Sequence, residues 1–150
     1  MAAFRVLATN HTSFTVSDVE RTSAFFVEAL GFEVISKAPR DPQLIERVTG
    51  VVGADIIVVY IQAPGHRLEL IEYLSPDERG QVQSRPCDAG FAHIAFDVDD
   101  IEAAVSASAP HGVVPICPPV TMDQGPNKGG SVAYLRDPDG ITIEYIQKPV

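Results

Sequence analysis

The chain contains a repeat. The stretch from Asn10 to Glu20 recurs from Ala92 to Glu102 at an offset of 82 (93 − 11), so that His11 aligns with His93, Phe14 with Phe96, Val16 with Val98, Asp18 with Asp100 and Glu20 with Glu102. A repeat of this period implies two similar supersecondary units, neither able to bury its apolar face alone. Each copy reads as a strand running into a helix. Side chains on a strand alternate between faces, so Phe14 and Val16 share one face while His11, Ser13 and Thr15 share the other. Each unit therefore carries one histidine at the same depth of its first strand.

Taken in order, residues 6–16 predict a strand rich in apolar and β-branched residues. Ser17, with Glu20 three residues on, fits a capping box for a helix that carries Val19, Thr22, Phe26 and Leu30 at helical spacing and stops at Gly31. A strand follows at 32–36, then a loop over 41–50 with a helical turn at 44–48, a natural place for a substrate lid. Residues 55–62 and 66–73 predict two strands around a turn at Pro64-Gly65. The polar stretch 76–89 lacks apolar periodicity and reads as a linker. The pattern then repeats. A strand at 91–98 leads to a helix capped by Asp99, with Ile101, Ala104, Val105 and Ser108 as its buried stripe. Strands at 113–117, 131–136 and 141–147 follow, with a Pro/Gly-containing loop at 118–130 and a tight turn at Asp137-Pro138-Asp139-Gly140. The expectation is one α+β domain over 1–150: a βαβββ module over about 4–75, a linker over about 76–89 and a second βαβββ module over about 90–150.

Bulk properties narrow the partners. A formal net charge of −9 disfavours nucleic acid and anionic membrane surfaces, because no basic patch is available to meet phosphates. No apolar run approaches a membrane span, and Met1 to Arg5 lacks the pattern of a secretory signal. Two cysteines, Cys87 and Cys117, make no disulfide framework, so the expected compartment is the cytoplasm. Cys117, between Ile116 and Pro118, is expected to be a small buried hydrophobe.

The chemistry is concentrated in four residues. Each module has a histidine in its first strand and a glutamate in its last: His11 with Glu69, and His93 with Glu144. Glu144 lies in the otherwise apolar Ile141-Thr142-Ile143-Glu144-Tyr145, and Glu69 sits between Leu68 and Leu70. A carboxylate in such a strand is costly unless paired or bound to a cation. Two imidazoles and two carboxylates together can hold one divalent first-row ion. Alone, each residue has a blander reading, as an edge-strand charge or a hydrogen-bonded core group. Those readings do not account for all four falling at equivalent positions of two repeats. Asp18, Glu20, Asp100 and Glu102 are better explained as helix-start carboxylates.

These motifs, together with Leu68-Glu69-Leu70, Phe91 through Glu102 and Tyr134 through Glu144, resemble the vicinal oxygen chelate superfamily. That superfamily includes glyoxalase I, methylmalonyl-CoA epimerase, extradiol dioxygenases and fosfomycin/bleomycin resistance proteins. The resemblance covers nearly the whole chain. It implies a cupped eight-stranded mixed sheet with helices on its convex face, a metal inside and a small-molecule substrate; the family permits a site within one chain or across two, and a homodimer is expected. The family's ligand positions carry over to His11, Glu69, His93 and Glu144. Nickel, cobalt, manganese, zinc and iron are all open as the ion.

A cation on a carbonyl oxygen stabilises the enolate formed when a neighbouring proton is removed, and Glu69 and Glu144 can serve as base and acid. Four ligands argue against the dioxygenase branch, and members that only sequester drugs generally lack the metal set. The chain departs from glyoxalase I, with Tyr73-Leu74-Ser75 where a Tyr-Asn pattern is usual. It departs from methylmalonyl-CoA epimerase, with Glu69 in place of glutamine and Arg136-Asp137-Pro138-Asp139 in place of a His-Pro-Lys-like stretch. The expectation is a metal-dependent epimerase or isomerase. The alternatives are a glyoxalase I (lactoylglutathione lyase) enzyme, an extradiol-type dioxygenase, and a non-catalytic binding or antibiotic-resistance protein. Arg67, Tyr73 and Lys128 are candidates to hold the substrate.

Overall fold

The computed structural model describes residues 3–149. Two sheets are built in the same way from the two modules. In the first, strands β1 (Thr12–Val16), β2 (Glu33–Pro39), β3 (Asp55–Ala63) and β4 (His66–Ser75) lie in the order β1-β4-β3-β2. In the second, β5 (His93–Asp97), β6 (Val114–Pro115), β8 (Ser131–Arg136) and β9 (Thr142–Gln147) lie in the order β5-β9-β8-β6, with β7 (Val120–Thr121) also on β8. Each first strand runs parallel to the last strand of its module, and the other pairings are antiparallel. The repeat holds to the register: Ser13 faces Glu69, and Ala95 faces Glu144.

The class is α+β with tandem βαβββ modules, as expected. The strands number nine, in two sheets. The strand expected at 113–117 shrinks to two residues, because Pro118 and Pro119 offer no amide to a ladder; pairing with β8 resumes only at Val120. Cys117 therefore lies outside any strand and is exposed, not buried.

Helix α1 (Val19–Ala24) continues into a π-helical turn, Phe25–Ala29, that ends at Gly31 in the left-handed region. The wider turn lets the adjacent Phe25 and Phe26 both face inward, where a regular helical stripe predicts Phe26 alone. The cap of α1 is Asp18, whose carboxylate accepts from the Arg21 amide; the cap of α3 (Ile101–Ser108) is Asp100, accepting from Ala103. Both caps sit one residue beyond the expected Ser17 and Asp99. The loop at 41–50 holds helix α2 (Pro42–Thr49), started by Asp41 and ended by Gly50 at positive φ. None of its residues is fully buried.

One core joins both modules. Val16, Phe26, Ile61, Leu68 and Leu70 belong to the same buried cluster as Ile101, Leu135, Ile143 and Tyr145, and the rings of Phe32 and Phe96 meet edge to face across the seam at 5.3 Å. Each large apolar side chain buried there contributes about 2 kcal/mol. The Tyr145 hydroxyl has a buried partner in Ser108 at 2.8 Å. Alternation does the rest. On β1, Phe14 and Val16 go to the core, while Ser13 and Thr15 are exposed on the other side; on β5, Ile94 and Phe96 turn inward, while His93, Ala95 and Asp97 are exposed. Both histidine-bearing faces turn away from the shared core.

Candidate metal and catalytic site

The strand pairings bring the four predicted residues together in twos. Because β1 lies beside β4, His11 Nε2 approaches Glu69 Oε2 at 3.2 Å; because β5 lies beside β9, His93 Nε2 approaches Glu144 Oε2 at 2.9 Å. The environments match closely. Each glutamate side chain is 14% exposed, and the histidines are 31% and 33% exposed. Each carboxylate is thus largely withdrawn from water, with an accessible imidazole over it. Among the described residues, no three His, Cys, Asp or Glu side chains stand close enough to share one ion. Each module supplies one histidine–glutamate pair.

Three residues absent from the sequence-based set complete these pairs. Asn10 Oδ1 lies 2.7 Å from His11 Nδ1. With the proton assigned to Nδ1, the imidazole donates to Asn10 and leaves Nε2 free as a ligand atom. Tyr60, opposite Glu69 in the β3–β4 register, donates its hydroxyl to Glu69 Oε1 at 2.5 Å, and its ring meets His11 edge-on at 5.9 Å. The bond to Glu69 and then burial raise the Tyr60 pKa. Tyr134 stands opposite Glu144 in the β8–β9 register, its ring 5.0 Å from His93. Burial, then the Glu144 charge, raises its pKa. The only sequence signal was position: Tyr60 precedes Glu69 by nine residues and Tyr134 precedes Glu144 by ten, each across a hairpin. Reading that signal requires the register, which composition does not supply.

The other candidates lie further out. Arg67 is exposed beside a shallow groove of about 470 Å³ formed with residues that include Leu7, Asn10, Gln62 and His66. Tyr73 is half-buried and pairs with Ile56 across β3–β4. Lys128 is exposed on the loop before β8, and no hydrogen bond or ion pair among the described residues ties it to either pair. A groove of about 950 Å³ lies elsewhere. Leu30, Phe32, Pro64, Phe96, Asp99 and Ala103 are among the residues that line it, at the seam between modules.

Duplicated βαβββ units with a histidine–glutamate pair on the open face of each define a family. Residues 8–145 match the model of the Glyoxalase/Bleomycin resistance protein/Dioxygenase superfamily, and the chain belongs to it. Among similar proteins, a 2-epi-5-epi-valiolone epimerase from Actinomyces is 31% identical over 95% of this chain and 80% of its own length. A lactoylglutathione lyase from Haemophilus influenzae is 28% identical over 91% of this chain and 90% of its own. A crystal structure of a glyoxalase family protein from Bacillus cereus superposes with a TM-score of 0.85 at 24% identity, covering 100% of this chain and 99% of that one. No helix among the described residues is long and apolar enough to cross a membrane.

Proposed function

We propose that the chain is a metal-dependent epimerase or isomerase that removes and returns a proton next to a carbonyl. The observation that carries this reading is the pair of matched imidazole–carboxylate contacts, 3.2 Å and 2.9 Å, at equivalent points of the two modules. The donors suit a first-row ion in kind, since neutral imidazole nitrogen and carboxylate oxygen are its ordinary ligands. In number they suit it only when pairs from two copies meet. The proposed site therefore takes His11 and Glu69 from one protomer and His93 and Glu144 from another, in a homodimer.

When bound, the ion would stabilise negative charge developing on the substrate oxygen. The protein's own part is proton handling. Glu69 and Glu144, both largely shielded from water, would act as base and acid on the two faces of the reacting carbon. Return of the proton to the opposite face of the same carbon gives epimerisation; return to the neighbouring carbon gives isomerisation. The epimerase among the relatives supports the first outcome. The lactoylglutathione lyases support the second, which remains the alternative reading.

The test is run in heavy water with the chain loaded with nickel or cobalt. With 2-epi-5-epi-valiolone as substrate, we expect deuterium to enter next to the ketone, and expect none with Glu144→Gln. Methylglyoxal with glutathione is the second arm. Activity there and no exchange with the valiolone would move the assignment to the lyase. A metal-loaded chain inactive in both arms would overturn the proposal.

A further inference from the structure

The two glutamates are equivalent in the repeat, yet they are not held alike. Glu69 accepts a hydrogen bond at Oε1 from the Tyr60 hydroxyl, while its Oε2 faces the His11 Nε2 lone pair at 3.2 Å. His11 is engaged in turn at Nδ1 by Asn10. Asn10, His11, Glu69 and Tyr60 thus lie side by side on the open face of the first sheet, with hydrogen bonds joining Asn10 to His11 and Tyr60 to Glu69. In the second sheet Tyr134 occupies the register position of Tyr60, but no hydrogen bond among the described residues joins its hydroxyl to Glu144. Its ring instead lies against His93 at an interplanar angle of 40°, where Tyr60 meets His11 at 82°. Glu144 is left with Oε2 against His93.

From this difference we propose that Tyr60 is a positioning residue: its hydroxyl fixes the Glu69 carboxylate in the orientation in which it serves as a metal ligand, while Tyr134 does no such thing for Glu144. The inference rests on the metal reading given above. Its physical basis is the cost of ordering. A free glutamate must give up rotamer freedom when it becomes a ligand, and a carboxylate already pinned at its second oxygen has lost that freedom on folding. A donor to the non-ligating oxygen also holds the lone pair of the ligating one on target, the role that outer-shell hydrogen bonds play at metal sites in general.

Register equivalence supplies an internal control. Tyr60→Phe and Tyr134→Phe each delete one hydroxyl from the same place in the fold and keep the ring. The full-length protein is stripped of metal and titrated with Co²⁺ by calorimetry, with the visible absorption of the bound ion followed in parallel. We expect Tyr60→Phe to weaken Co²⁺ binding about tenfold or more and to alter the cobalt spectrum. We expect Tyr134→Phe to stay within about twofold of wild type with an unchanged spectrum. The metal-free melting temperature is followed alongside: a fall there with unchanged Co²⁺ affinity and spectrum would mark a purely structural tyrosine. Equal affinity and an unchanged spectrum for Tyr60→Phe would overturn the assignment, as would an equal loss from Tyr134→Phe. Wild type taking up no Co²⁺ is a separate result: it removes the metal reading itself, and the role of Tyr60 with it.

Discussion

Two carboxylates in one turn are pulled in opposite directions. Asp137 is 8% exposed, and burial pushes its carboxyl up to about 6, against the partial relief of amide hydrogen bonds from Ile141 and Asp139. Asp139, two residues on, is also raised by burial, but the Ser17 hydroxyl and amide and the Arg21 guanidinium outweigh that and hold it below the usual carboxylate range. The signs follow. Asp137 binds its proton more tightly in the folded chain, so its contribution favours folding at low pH and is lost as pH rises from about 4 through 6. Asp139 does the reverse, its contribution being lost as pH falls into the carboxylate range. Asp137→Asn keeps an oxygen for both amides and removes the buried charge, worth on the order of 2 kcal/mol above pH 7. Thermal unfolding should show the variant melting roughly 5 °C higher at pH 8, with the gap shrinking steadily as pH falls from about 6 towards 4. An unchanged melting temperature at pH 8 would show that the native carboxyl titrates normally.

At the scale of elements, alternation and repeat spacing were legible, and long-range partners were not. The period-two pattern separated Phe14 and Val16 from His11, and Leu68 and Leu70 from Glu69, onto opposite strand faces; the structure shows that the apolar set faces the core. Ser17 matched a capping box locally, yet its hydroxyl is taken by Asp139 at 2.6 Å, from the other module, and Asp18 caps the helix. Asp137 to Gly140 read as a bare hairpin turn, and Asp139 within it also anchors the modules to each other. Tyr60 and Tyr134 were hidden for another reason: their glutamates are only nine and ten residues away, but across hairpins whose register the sequence does not state. The clamp is testable as a pair. Arg21 Nη2 meets Asp139 Oδ2 at 2.7 Å in a partly buried setting, so Arg21→Ala and Asp139→Ala should couple by about 1 kcal/mol in a double-mutant cycle. Additive losses would make the contact incidental to the seam.

The whole molecule is a duplication whose symmetry is broken where it counts. By the repeat, Ala103 stands where Arg21 does and Pro64 where Asp139 does. One seam is therefore clamped, and its counterpart is the open groove of about 950 Å³. The histidine–glutamate contacts, in contrast, recur in both modules, as the proposed site, which needs both pairs, requires. If they meet across two copies, inactive chains should rescue one another. Let one chain carry His11→Ala with Glu69→Ala, and another His93→Ala with Glu144→Ala; each alone has no complete site. In a heterodimer, the intact second pair of the first chain meets the intact first pair of the other, while the remaining site holds both damaged halves. After random exchange half the dimers are mixed, so about a quarter of wild-type metal binding and turnover should return. The measurement is metal content and deuterium exchange after the two variants are unfolded and refolded together. No recovery, with mixed dimers confirmed by mass, would mean that both pairs must come from the same chain.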